Sequence, residues 1–262
     1  MRSSPAYRPK HLLFGVTLLT LLMFASTQPL RADTLISVAF TSTNSYGLGG
    51  PPPISGPEPG ATSANPLFGA ANVWNNLNEP FGVITTNPSY ANLVNSTGAL
   101  TGVDLSVTGA VLPVNLYPYF PGQDPLRSQF LAWNSHGPGE STSISWALTG
   151  LAPNSTFDMY VYGSVADVKR SFDMTIEGTT LNVPTYAFGA SNPPGAYFQN
   201  ITSDAQGDIF GVATGIGSNA GTANEANWSG FQIVATPEPS SLLLLGSGML
   251  VLVGFGLKKT LL

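Results

Sequence analysis

Between Asp33 and Ala235 the apolar residues recur at every second position, in short runs, and never settle into a sustained helical period. Ile36, Val38 and Phe40 alternate with their neighbours, as do Val103, Leu105 and Val107. The same period returns in Ile144, Trp146 and Leu148, in Phe157, Met159 and Val161, in Phe172, Met174 and Ile176, and in Phe231 with Ile233. Successive side chains of a strand point to opposite faces, so each run describes a strand with one face buried. Gly and Pro separate the runs. Residues 33–235 are therefore expected to form an all-β domain, an antiparallel jelly-roll-type β-sandwich with few helices. Glu177-Gly178-Thr179 is expected to turn a hairpin that joins Ser171–Ile176 to Thr180–Val183. About 200 residues are enough for one hydrophobic core. The chain has no cysteine to staple it, so burial must hold it together.

Trp146-Ala147-Leu148-Thr149-Gly150-Leu151-Ala152-Pro153-Asn154, followed by Phe157-Asp158-Met159-Tyr160-Val161-Tyr162, resembles the strand-corner-strand of secreted fibronectin-type and galactose-binding-like sandwiches. The closing Trp228-Ser229-Gly230-Phe231-Gln232-Ile233 is similar to the last core strand of the galactose-binding-like group. These resemblances imply a fold and leave the ligand open.

The two ends of the chain carry addresses. Thr236-Pro237-Glu238-Pro239-Ser240-Ser241 precedes an apolar run, Leu242 to Leu257, that ends on Lys258-Lys259. At 1.5 Å per residue such a run makes roughly 24 Å of helix, a little short of a hydrocarbon core about 30 Å thick. Local thinning of the bilayer covers that mismatch at modest cost. The lysines belong on the cytoplasmic side, which leaves Pro237-Glu238-Pro239 outside. This order of tripeptide, span and basic end resembles the PEP-CTERM sorting domain of exported proteins in Gram-negative bacteria that make extracellular polysaccharide. The resemblance implies recognition by exosortase, a membrane protease, with cleavage near Pro237, Glu238 and Pro239. The family usually ends on an arginine-rich cluster, where this chain has Lys258, Lys259 and then Thr260-Leu261-Leu262. An ordinary permanent membrane anchor is the competing reading of residues 236–262.

At the other end, Arg2, Arg8 and Lys10 precede an apolar run from Leu12 to Ala25, and Leu30-Arg31-Ala32 offers a cleavage site before Asp33. Residues 1–32 read as a secretory signal peptide, so signal peptidase and the secretion machinery are expected partners. Once processed, the protein would be tethered to the membrane by its C-terminal helix alone, then held at the cell surface or in the extracellular matrix.

Charge narrows the partners. Residues 33–235 hold three basic residues against thirteen carboxylates, a net charge of −10 (3 minus 13). Nucleic acids and anionic membrane surfaces call for a basic footprint and are not expected partners. No cofactor is expected. His136 is the one histidine downstream of the signal peptide, and no Gly-x-Ser-x-Gly elbow accompanies it. One histidine without cysteine does not make a zinc site. Asp204-Ala205-Gln206-Gly207-Asp208 reads either as a turn or as a loop offering oxygens to calcium. The Pro/Gly-rich stretch 44–66, with Pro51-Pro52-Pro53, reads either as a passive surface loop or as a binding loop. Trp146 and Trp228 sit in core-type runs. Trp74 and Trp133, each followed by Asn in loop-like sequence, are the candidates for stacking on a sugar, with core packing as the alternative.

Three functions are compatible with these residues: a non-catalytic surface or matrix protein associated with extracellular polysaccharide, a carbohydrate-binding module with a site near Trp74 or Trp133, and a secreted glycan hydrolase working through carboxylates. Charged residues make up only 9% of the chain, and active sites gather several perturbed titratable groups, which favours the first.

Overall fold

The computed structural model describes residues 35–42, 56–59, 73–80, 82–115, 129–133, 141–164, 170–185, 195–219 and 222–236. The signal segment, most of the 44–66 stretch and the tail beyond Thr236 lie outside these residues. Among the described residues there is no helix, and so none long and apolar enough to cross a membrane.

Among the described residues sixteen strands form two sheets. The first half of the chain supplies β1 (Ile36–Ser42), β2 (Gly56–Pro59), β3 (Val73–Glu79), β4 (Thr85–Thr86), β5 (Ser89–Val94), β6 (Leu100–Thr108), β7 (Ala110–Asn115) and β8 (Gln129–Trp133). The second half supplies β9 (Ser143–Thr149), β10 (Thr156–Gly163), β11 (Phe172–Ile176), β12 (Thr179–Val183), β13 (Gly195–Thr202), β14 (Ile209–Gly215), β15 (Gly217–Asn219) and β16 (Thr222–Ala235). One sheet has six strands in the order β12-β11-β14-β9-β6-β5. The other runs β2-β3-β1-β16-β8-β7-β4, with β10, β13 and β15 joining it through β16.

The sandwich expected from the alternation is present. Val103, Leu105, Val107, Ile144, Trp146, Leu148, Phe172, Met174 and Ile176 of one sheet bury against Ile36, Val38, Phe40, Phe157, Met159, Val161, Phe231 and Ile233 of the other. Trp228 sits at the centre of this core, 4.8 Å from Phe40, 6.0 Å from Trp146 and 6.1 Å from Phe231, measured between ring centroids. The Trp146 indole N–H donates to the Met174 sulfur at 3.0 Å.

The hairpin falls where the sequence places it. Glu177 and Gly178 take φ of 48° and 78°, the left-handed pair that a two-residue turn between twisted strands requires, and Thr179 already belongs to β12. One pairing departs from the antiparallel expectation: β3 runs parallel to β1, with Val38 opposite Asn75 and Phe40 opposite Leu77. The fourteen residues of β16 act as a spine. On one edge Ala226–Trp228 pair with β8 and Gly230–Ile233 pair with β1; Trp228–Ala235 pair with β10.

Tyr90, on the edge strand β5, packs against the core. Burial first, then the negative charge of Glu79, push its hydroxyl well above the ordinary tyrosine range. A raised acid pKa contributes stability below the unfolded value of about 10, and that contribution is lost as pH rises further. An absorbance titration should therefore find Tyr90 unionised until the fold melts in alkali, and Tyr90→Phe should remove that delayed step. Ionisation of every tyrosine near pH 10 in the folded protein would contradict this.

Candidate functional site

The tryptophans singled out for sugar stacking are not available to a sugar. Trp74 is 1% exposed and Trp133 is fully buried. Trp133 lies 5.2 Å from Phe172, edge to face, inside the main core. Trp74 packs 6.2 Å from Tyr162, in a second cluster with Leu35 and Ala39 on the far side of β1. The loop-like reading of Trp74 fails because β3 is a strand despite its asparagines. The Asn75 amide donates to the Ser37 and Val94 carbonyls at 3.0 and 2.8 Å, and its oxygen accepts from the Val94 N–H at 2.8 Å. The polarity that suggested solvent is consumed inside the sheet.

Asp204–Asp208 closes as a turn. One Asp204 carboxylate oxygen accepts from the N–H groups of Gln206 at 2.9 Å and Asp208 at 2.8 Å, and the Asp204 N–H donates to the Asp208 carbonyl at 2.9 Å. Among the described residues no three His, Asp or Glu side chains gather as a metal site. His136, Pro237, Glu238, Pro239, Lys258 and Lys259 lie outside the described residues.

Two features that the sequence did not disclose stand out. The first is a polar seam on the side of β16 that faces away from the main core. Glu225, Asn227, Ser229 and Gln232 are each at most 1% exposed. Gln232 donates to Ser37 Oγ at 3.1 Å and accepts from the Tyr162 hydroxyl. Glu225 pairs with Arg170, Nε to Oε2 at 3.0 Å. The Asn227 backbone N–H donates to the Arg170 carbonyl at 3.1 Å, and the Arg170 N–H donates to Thr185 Oγ1 at 3.2 Å. The Asn227 amide and the hydroxyls of Ser229, Ser164 and Thr41 are also buried, without hydrogen-bond partners. Each such group costs about 1–3 kcal/mol. The seam is a set of neutral donors and acceptors together with one ion pair, buried within the sheet. The sequence assigns no strand to residues 222–227, because buried polar residues leave no periodic apolar signal.

The second is the outer face of the six-stranded sheet. Pairing registers set Thr108, Ser145, Val212, Thr175 and Thr180 side by side across five strands. The next row places Ser106, Ala147 and Phe210 together. Thr175 and Thr180 join hydroxyls at 2.8 Å. Phe210 is 56% exposed and Val212 is 41% exposed, two positions apart on β14. Their partners on the opposite face of β14, Ile209 and Ala213, are core residues.

At the sandwich edge a cleft of about 240 Å³ lies between the β11–β12 hairpin and β13. It is smaller than the roughly 300–1,000 Å³ of ligand pockets. Tyr197 lines it and donates to Asp158 at 2.7 Å; burial, then this hydrogen bond, raise the tyrosine's pKa.

Residues 235–259 match the PEP-CTERM protein-sorting motif. The matched stretch includes Pro237, Glu238, Pro239, Lys258 and Lys259. No curated protein matches the sequence. Among solved structures the chain is similar to the family 35 carbohydrate binding module from Clostridium thermocellum, at 15% identity over 50% of this chain and 92% of that one, with a TM-score of 0.32. It is also similar to the CBM36-1 domain of a multidomain xylanase from the hindgut metagenome of Trinervitermes trinervoides, at 14% identity over 50% and 98%, with a TM-score of 0.30. A third similarity is to the plant receptor-like kinase FER, at 10% identity over 78% and 42%, with a TM-score of 0.36. The chain thus joins a two-sheet β-sandwich to a PEP-CTERM signal. That signal marks an exported protein sorted to the cell surface through an exosortase.

Proposed function

We propose that this chain is a non-catalytic surface or matrix protein, exported as residues 33–262, cut by an exosortase near Pro237–Pro239, and retained among extracellular polysaccharide. The observation that carries the proposal is the sorting motif over residues 235–259, which joins the tripeptide, the apolar run and the basic end in one signal. In this reading residues 1–32 are removed on export, 33–235 are the working domain, and 236–262 serve as a transient anchor with its membrane helix at 242–257.

The carboxylates support a structural rather than a catalytic domain. Asp158 accepts from Tyr197 at 2.7 Å and from the Asn200 N–H at 2.9 Å. Glu177 accepts from the Thr202 N–H at 3.0 Å, and Asp104 from the Asn92 N–H at 2.7 Å. With Asp204 in its turn and Glu225 on Arg170, these acids are engaged in holding the chain in place.

In a host lacking its exosortase, or carrying Ala at 237, 238 and 239, the protein should stay in the membrane fraction. The unaltered protein should leave that fraction and co-purify with the secreted polysaccharide. Identical fractionation of both forms would overturn the proposal.

A further inference from the structure

We infer that the outer face of the six-stranded sheet is a docking surface for an extended, uncharged polysaccharide, with Phe210 as its stacking residue. The inference rests on the polysaccharide association proposed above and gives it a site. Strands lie about 4.8 Å apart, so the row from Thr108 to Thr180 runs roughly 19 Å across the sheet. Its short side chains keep the surface flat, and its hydroxyls both donate and accept, as a polyhydroxylic chain requires.

Beside Val212, at the centre of the face, stands an aromatic ring more than half exposed. Single exposed apolar residues are ordinary; two adjoining on the middle of a hydroxylated face call for an apolar partner that also hydrogen-bonds. Sugar rings have that dual character, with apolar faces and hydroxyl edges. No Lys or Arg belongs to β6, β9, β11, β12 or β14, and Asp104 and Asp173 are the charges these strands carry. An anionic polymer finds no counter-charge there, and a face built mainly of hydroxyls suits a neutral chain.

The test is affinity electrophoresis of the processed protein from its host. The gels carry the host's own secreted polysaccharide or a neutral probe (hydroxyethyl cellulose, galactomannan or dextran), with alginate as the anionic control. The expected result is retardation by a neutral polymer that high salt leaves unchanged. Phe210→Ala should weaken it at least tenfold and Ser145→Glu should abolish it, while both variants keep the melting temperature of the unaltered protein. Equal retardation of the variants would overturn this site and leave the proposed function standing. No retardation of the unaltered protein by any of these polymers would overturn both. A salt-insensitive dimer that Phe210→Ala dissolves, with no polysaccharide bound, would make the face a contact between two copies and sink the inference.

Discussion

Gly230→Ala should destabilise the domain by about 3 kcal/mol or more, at or above the top of the usual range for overpacking a core. A Cβ at this position would fall 2.0 Å from the Val38 carbonyl oxygen and 3.1 Å from the Ala39 Cα, both backbone atoms of β1. Neither can swing aside as the tip of a flexible side chain would. Gly230 sits where β16 finishes pairing with β8 and begins pairing with β1, next to the register shift at Tyr162/Gly163 against β10. Displacement here would therefore disturb three strands together. For a domain of this size the midpoint of thermal unfolding should fall by roughly 6–12 °C. Gly178→Ala is the comparison: nothing lies within 4 Å of its missing Cβ, and the cost is confined to a positive φ, about 1 kcal/mol. Equal melting of the two variants would contradict the fork at Gly230.

Trp133→Ala should cost about 3–5 kcal/mol, the range for emptying a buried aromatic site. The side chain is fully buried against Phe172, so its loss opens a cavity between the sheets rather than a gap on the surface. Chemical denaturation should shift its midpoint without changing the slope. The contrast with Phe210 is the informative part. Trp133→Ala should weaken the fold, whereas Phe210→Ala should leave the fold intact and act on surface properties alone. A Trp133→Ala protein of normal stability would restore the idea that this indole faces a ligand.

The division between what the residues disclosed and what they concealed follows the polarity of the strands. Wherever one strand face is apolar and the other polar, as in Ile144, Trp146 and Leu148, the alternation specifies both the strand and its buried side. The Glu177-Gly178 turn is equally local and was placed to within one residue. β3 and residues 225–227 of β16 were hidden because both of their faces are buried and much of what they bury is polar. Asn75, Asn76, Glu225 and Asn227 carry side chains that favour solvent and are each no more than 9% exposed. The same concealment misplaced Trp74, whose neighbours suggested a loop. The parallel pairing of β1 with β3 also leaves no local mark, since it depends on a long connection rather than on either strand. The hydroxyl face was present in the sequence as the polar half of each alternation. Its meaning came from register alone, which sets Thr108, Ser145, Val212, Thr175 and Thr180 in one row. The sorting signal needed no fold at all, because its elements are contiguous between residues 235 and 259.

The central claim is that the tail is a processed sorting signal, and the intact mass of the protein from the native host's envelope and medium tests it most directly. A species beginning at Asp33 and ending near Pro237–Pro239, absent when the tripeptide is changed to alanines, is the expected result. A species running from Asp33 to Leu262 in every fraction, unaffected by that change, would make the tail a permanent anchor and contradict the account.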